Sequence, residues 1–461
     1  MTRPNILFLM SDEHRPDVTG YEGNNVIRTP FLDSLAEDGI VFRNAYTPSP
    51  SCIPARQSLM AGQLPRTTGC EKFGEDLTPG YMTFSRRFSQ YGYTTAISGK
   101  LHHTGPDQMQ GWTHRIAGDM EVTARNIEGL QQREYEKYVP AHVQKWSNIK
   151  EIKRAGIGEG PCNVNDRYWV EGALNYIEKY FNDPYYDREQ TRPLLLKVSL
   201  TLPHYPFFTS ADKFNYYLNR VKPYLNEEIF DHPFFEHKRV IPGKDVSERE
   251  IRRATAAYYG MIETMDEYLS RIADALKHVG QNLDDWIIIY TSDHGDLIGE
   301  HCNWEKSKFF EGSARVPLII RWPKKFSGGR VVHENVNLCD LFATLCDLSD
   351  IPTPEGLDSR SMVPLMKGDG SDWNNETISQ LSHHDGRHLM IKQDHLKYQN
   401  YSGMPEVLFD LKRNPEETIN YIDDPVYAEQ VSYFRKRCSE LGYGVNADPN
   451  YVNAGYENKS K

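Results

Sequence analysis

The chain has 461 residues, enough for a large core and two or three packing units. With 25% charged and 39% hydrophobic residues, its composition is that of an ordinary globular protein, not a disordered or fibrous one. A net charge of -11 argues against a general nucleic-acid binder, which needs a cationic face, but leaves room for a local cationic pocket.

In chain order, the first apolar run is residues 5–10, six residues long. It is too short for the apolar core of a signal peptide, and no small-residue cleavage site follows, so a cytoplasmic protein is expected. No stretch reaches the length of a membrane span, and no membrane partner is expected. The run reads as a buried parallel strand ending in Ser11, Asp12, Glu13 and His14. Residues 29–38, with a proline at the start and Gly39 behind, read as a helix. In SCIPARQSLMAG, from Ser51, Pro54 suits the first turn of a helix and puts Cys52 at its N-terminus. Unpaired N–H groups and the helix dipole favour an anion there, and Arg56 adds a fixed cation one turn along.

A second strand, residues 94–98, leads into Gly99, Lys100, Leu101, His102 and His103. Residues 105–193, rich in Tyr, Trp and Gly, read as an insertion that walls a pocket. A third strand, 194–201, ends in Leu202, Pro203 and His204. Residues 248–279 have helical spacing and are expected to cross one sheet face. A fourth strand, 286–291, ends in Ser292, Asp293, His294, Gly295 and Asp296. Pro352, Pro354 and Gly356 mark a linker, dividing a catalytic α/β part, 1–355, from a smaller C-terminal α+β part, 356–461. The latter is expected to hold short antiparallel strands at 388–393, 397–401 and 407–411, a helix near 426–441, and a loosely held polar tail at 446–461. Ligands of open α/β sheets collect outside the carboxyl ends of strands, so four such ends carrying Asp, Lys or His are expected at one mouth. The seven cysteines show no CxxC pair and no zinc-ligand spacing.

Cys52, Pro54 and Arg56 meet a C-x-P-x-R signature, and the sequence resembles the type I, formylglycine-dependent sulfatase family of the alkaline-phosphatase-like superfamily. The resemblance implies an alkaline-phosphatase-like mixed sheet flanked by helices. It implies conversion of Cys52 to 3-oxoalanine (formylglycine) by a maturation enzyme, the aldehyde hydrate being the nucleophile. Asp12, Glu13, Asp293 and His294, with the Cys52 position, match the ligand set for one divalent cation. Calcium is the first expectation from the oxygen ligands, with manganese, magnesium or zinc open because of His294. Lys100 and His102 match a G-K-x-H element, His103 being the competing assignment. His204 matches a P-H-x-P histidine. Lys306 stands five residues before Glu311, with Lys308 the nearby alternative. GKLHHTGPDQ resembles choline sulfatases and phosphonate monoester hydrolases. LFDLKRNPEETIN resembles the family's C-terminal strand motif.

The chemistry accounts for these residue types. A sulfate monoester repels a nucleophile unless a cation, lysines and Arg56 neutralise its oxygens. The leaving alcohol needs a proton, assigned to His204 with Lys306, and His102 is assigned the proton of the hydrate's second hydroxyl. Each residue also has an ordinary reading: a packed cysteine, an Asp capping a helix, a loop histidine, a surface lysine. It is their joint occurrence that favours the catalytic one. The expected partner is a small sulfated sugar or alcohol, and self-association into a homo-oligomer stays open. Phosphonate monoester or phosphodiester hydrolysis is the alternative, and a non-catalytic binding protein a third class. His383, His384, Asp385 and Arg387 are a candidate subsite at the pocket mouth.

Overall fold

The computed structural model describes residues 3–119, 147–182, 192–225, 227–236, 239–383 and 386–444. The four runs expected as buried strands are Ile6–Ser11, Thr94–Gly99, Leu194–Ser199 and Ile287–Ser292. They lie side by side and parallel, with Ile6–Ser11 between Leu194–Ser199 and Ile287–Ser292, and Thr94–Gly99 outside Leu194–Ser199. The sheet continues on one side through the parallel strand His114–Ala117. On the other it runs antiparallel through Leu318–Arg321 to Ile40–Tyr46, which Arg315–Val316 and Arg330–Asn337 also join. The sheet is therefore mixed.

Both faces of the central strands are covered, which explains their unbroken apolar sequences. Leu7, Leu9, Leu196, Val198, Ile288 and Tyr290 pack in a core shared with helices Pro30–Glu37, Pro161–Asn182 and Glu248–His278. Ile6, Phe8, Met10, Leu195, Ile287 and Ile289 share the opposite core with helices Cys52–Ala61, Phe84–Gln90 and Asp340–Leu348. The 31-residue helix Glu248–His278 starts with a capping box, Ser247 and Glu250 satisfying each other's backbone amides. Asp266 on this helix accepts from the amides of Phe31 and Leu32 (3.0 and 2.9 Å), closing the N-terminus of Pro30–Glu37 from outside.

Two features differ from the sequence reading. The described part of 105–193 is scaffold more than pocket wall: His114–Ala117 extends the sheet, and Pro161–Asn182 buries Trp169, Val170, Ala173 and Ile177. Residues 120–146 and 183–191 of that expected insertion lie outside the described residues. The third strand stops at Ser199 because Asp166 takes the amides of Thr201 (2.7 Å) and Leu202 (2.7 Å), turning the chain into a loop.

The C-terminal sheet is antiparallel: Glu376–His383, Gly386–Gln393, Leu396–Asn400 and Val407–Asp410, with helix Ala428–Glu440 packed against it. Glu376–His383 was not expected from the sequence. Its seam with the first sheet carries buried charge. Lys397 is fully buried and pairs with Glu311 (2.9 Å) and Glu417, while Tyr46 Oη donates to Glu311 (2.9 Å). Among the described residues, no helix is long and apolar enough to cross a membrane.

Candidate active site

The register of the parallel strands sets the site. Ser11 lies beside Ser292, and Gly99 beside Ser199, so Asp12, Asp293 and Lys100 leave the sheet at one edge. A Cβ at Gly99 would sit 1.9 Å from the Ser199 carbonyl oxygen, and its φ is 109°, so only glycine makes this exit. His102 follows with φ 59°. The bend is held by Asp119, whose carboxylate accepts from the amides of both Leu101 and His102 (2.8 Å each).

Helix Cys52–Ala61 begins at Cys52, as the proline pattern implies. Ser51 makes no side-chain cap, so the first amides of the helix have no partner from that residue. Cys52 Sγ lies 3.2 Å from His294 Nε2 and 3.8 Å from Asp12 Oδ1. Burial and Asp12 oppose a thiolate here, but Lys306, Lys100 and His294 prevail and hold the thiol well below its usual pKa.

Arg56 faces the carboxylates. Its Nε donates to Asp293 (2.7 Å), one Nη to Asp12 (2.9 Å), and the other to the Lys100 carbonyl (2.9 Å) and Ser199 Oγ (2.8 Å). It is buried, and its charge holds the two aspartates in place. Lys100 Nζ pairs with Asp12 at 2.7 Å. Burial alone would raise the Asp12 pKa; Lys100 and Arg56 outweigh it and hold the carboxyl well below the usual range.

Asp12, Cys52, Asp293 and His294 each bring one ligand atom within 4.8 Å of the others, all from buried residues. On each aspartate one oxygen is committed to Arg56, and the other lies free of it. His294 Nδ1 is 2.9 Å from the Gly295 carbonyl, which fixes the proton there and leaves the Nε2 lone pair directed at the cluster. This donor set fits one divalent cation. Glu13 stands apart from that quartet. It groups with Asp12 and His204, and its carboxylate contacts Lys306 Nζ and lies 3.5 Å from His204 Nε2. Burial pushes Glu13 up to about 7 against the pull of His204 and Lys306.

Lys306 Nζ is 2.9 Å from His204 Nε2, whose Nδ1 is 2.6 Å from the Tyr205 carbonyl. Burial lowers the His204 pKa, but Glu13 outweighs it and the net shift is upward. Lys308, the sequence alternative, donates instead to the carbonyls of Trp304 (3.1 Å) and Lys306 (2.9 Å), bracing the loop that carries Lys306. The His102 ring meets Phe73 edge-on at 5.3 Å. His103 is buried, with burial, then Arg115 and Lys197, holding its pKa well below the usual value.

Sequence reasoning did not find Asp119, Ser199 or Tyr258, whose Oη donates to the Glu13 carbonyl (2.6 Å). Ser199 could have been noticed as the last residue of a strand; Asp119 and Tyr258 carry no local signal. Of the suggested subsite, Arg387 makes a two-pronged ion pair with Glu71 (2.9 and 2.9 Å), two residues from Phe73. His384 and Asp385, and the side chain of His383, lie outside the described residues.

Residues 4–351 match the family profile Sulfatase, and residues 299–443 match the profile of the N-sulphoglucosamine sulphohydrolase C-terminal region. An arylsulfatase of Clostridium perfringens is 30% identical over 94% of this chain and 93% of its own length. A choline-sulfatase of Rhizobium meliloti is 32% identical over 92% of this chain and 83% of its own. The solved phosphonate monoester hydrolase of Agrobacterium radiobacter superposes with a TM-score of 0.77 at 23% identity, covering 95% of both chains. A protein solved with D-glucosamine-2-N,6-O-disulfate as its substrate superposes at 0.75 and 19% identity, covering 97% of this chain and 100% of the other.

Proposed function

The chain belongs to the sulfatase family, a sulfuric ester hydrolase, and from that premise we propose that it cleaves the O-sulfate ester of a sugar or other small organic alcohol through an oxidised Cys52. The observation that carries this reading is the placement of Cys52 at the start of a helix, 3.2 Å from His294 and 3.8 Å from Asp12, with Lys100 on Asp12.

A cation held by Asp12, Asp293 and His294 would supply charge neutralisation at the ester's sulfate oxygens. Formylglycine at position 52 would supply two hydroxyls as its hydrate, one to attack sulfur and one through which sulfate is expelled. The chain's own groups do the rest. Lys100 and Lys306 add positive charge around the transferring group. His204, with its raised pKa and Lys306 alongside, donates a proton to the departing alcohol. His102 accepts the proton of the second hydroxyl. Arg56 acts through Asp12 and Asp293 and fixes their geometry.

The test is mass analysis of the peptide containing Cys52, from protein made in a host that matures sulfatases, with kinetics of C52A. Conversion of CH2SH to CHO, together with loss of turnover on an aryl sulfate in C52A, supports the reading. An unmodified thiol in fully active protein, or an active C52A, overturns it.

The nitrogen ligand of His294 supports a second reading, phosphonate monoester or phosphodiester hydrolysis at the same site, since a mixed oxygen and nitrogen set suits transition ions. Aryl sulfate and aryl phosphonate esters compared side by side discriminate the two.

A further inference from the structure

Proposed function treats Cys52 as a residue to be converted, and the present inference rests on that reading while concerning the chain before conversion. With the thiol intact, the cluster is a thiolate, an imidazole and two carboxylates: Cys52, His294, Asp12 and Asp293. A hard cation such as calcium seeks six to eight oxygens, whereas sulfur and nitrogen donors in fourfold array are the habit of zinc.

The spacing agrees with the chemistry. Bond lengths of about 2.0 to 2.3 Å around a tetrahedral zinc give ligand-to-ligand edges of roughly 3.3 to 3.7 Å. Here Sγ to His294 Nε2 is 3.2 Å, Sγ to Asp12 Oδ1 is 3.8 Å, and His294 Nε2 to Asp293 Oδ1 is 3.7 Å. Every ligand also has an outer partner that holds its orientation: Gly295 carbonyl on His294, Arg56 on both aspartates, Lys100 on Asp12. All four residues are buried, so the site is formed without a closing movement.

We infer that the unconverted chain is a closed four-ligand site for a thiophilic divalent ion, zinc foremost, and that oxidation of Cys52 exchanges it for a site preferring a harder cation. The four residues then change metal class with the state of one side chain. Zinc held by Cys52 masks the thiol, so the ion also marks chains that have escaped conversion.

The experiment uses full-length protein from a host without sulfatase maturation, Cys52 verified as thiol by peptide mass, stripped with chelator and titrated with cobalt(II). The expected result is thiolate-to-cobalt charge-transfer absorption saturating at one equivalent, bleached by zinc but not by excess calcium. C52S, checked for folding by circular dichroism, should lose the band and bind zinc at least tenfold more weakly. C302S, whose thiol lies outside the cluster, should keep both properties. Absence of the band in wild type, or zinc affinity unchanged in C52S, overturns the inference. Converted protein from a maturing host should lack the thiolate band. If position 52 stays a thiol in both hosts, the hydrolytic reading fails while the zinc site stands. If conversion occurs but the thiol form shows no band, only the present inference fails.

Discussion

Replacing Arg56 by methionine keeps the volume of the side chain and removes its fork. Asp12 retains Lys100 at 2.7 Å, whereas Asp293 is left with the backbone amides of Glu13 (3.3 Å) and His294 (2.9 Å). The loss therefore falls mainly on Asp293, whose pKa burial already raises against the pull of Arg56. Removing one partner of a buried ion pair costs about 3–5 kcal/mol, and this arginine serves two carboxylates, so R56M belongs near the upper figure. R56K keeps the charge but can satisfy only one carboxylate at a time, and should lie between R56M and wild type. Thermal unfolding in chelator at neutral pH measures this, with an expected fall in Tm on the order of 5–10 °C for R56M. A melting temperature equal to that of wild type, or an R56K no better than R56M, would refute the view that Arg56 works by holding the aspartates.

The remaining predictions concern neighbouring devices. D119A removes two charge-assisted bonds from the Lys100–His102 bend, so kcat on an aryl sulfate should fall roughly tenfold to hundredfold with a smaller change in KM; D119N, with one carbonyl acceptor for two amides, should recover only part, and an unchanged kcat in D119A would dismiss the role. K397M strands Glu311 and Glu417 in the seam and should cost about 3–5 kcal/mol in denaturant unfolding; K397M/E417Q should be less damaged than K397M alone, and a worse double variant would contradict the pairing. Asp266 is pushed up to about 7 by burial from an ordinary 3.8. Its folded pKa exceeds the unfolded one, so the native state holds the extra proton between those values, and stability is lost as pH rises through them, by at most about 4 kcal/mol. D266N should flatten that slope, and an identical pH profile in the variant would reject the assignment.

The central strands could be read from sequence because burial on both faces leaves unbroken runs such as ILFLM and WIIIY, and their chemistry could be read because it starts where each run stops. Glu376–His383 was missed because ETISQLSH is half polar, its placement coming from pairing with Gly386–Gln393. His114–Ala117 is four residues long and mostly half-buried, too little for a periodicity. At the site, residue types were legible but not the direction each charge faces. Nothing in CIPAR says that Arg56 turns inward to Asp12 and Asp293, and nothing near Glu13 says that its partner is Lys306, 293 positions away. Those orientations depend on strand register, which joins residues far apart in sequence.

The Lys397 seam bears on how the chain can be divided. The strand pair that carries it lies after the proline-rich stretch, yet its acid Glu311 lies before it, in the segment that presents Lys306. A cut near residue 356 would therefore leave a buried ammonium in one fragment and its carboxylate in the other, and neither piece would retain a finished surface. The C-terminal sheet behaves as a keystone for the lysine-bearing loop: shuffling or truncating this protein at its apparent linker should dismantle the reaction centre from a distance, whereas grafts at exposed turns away from the seam should be tolerated.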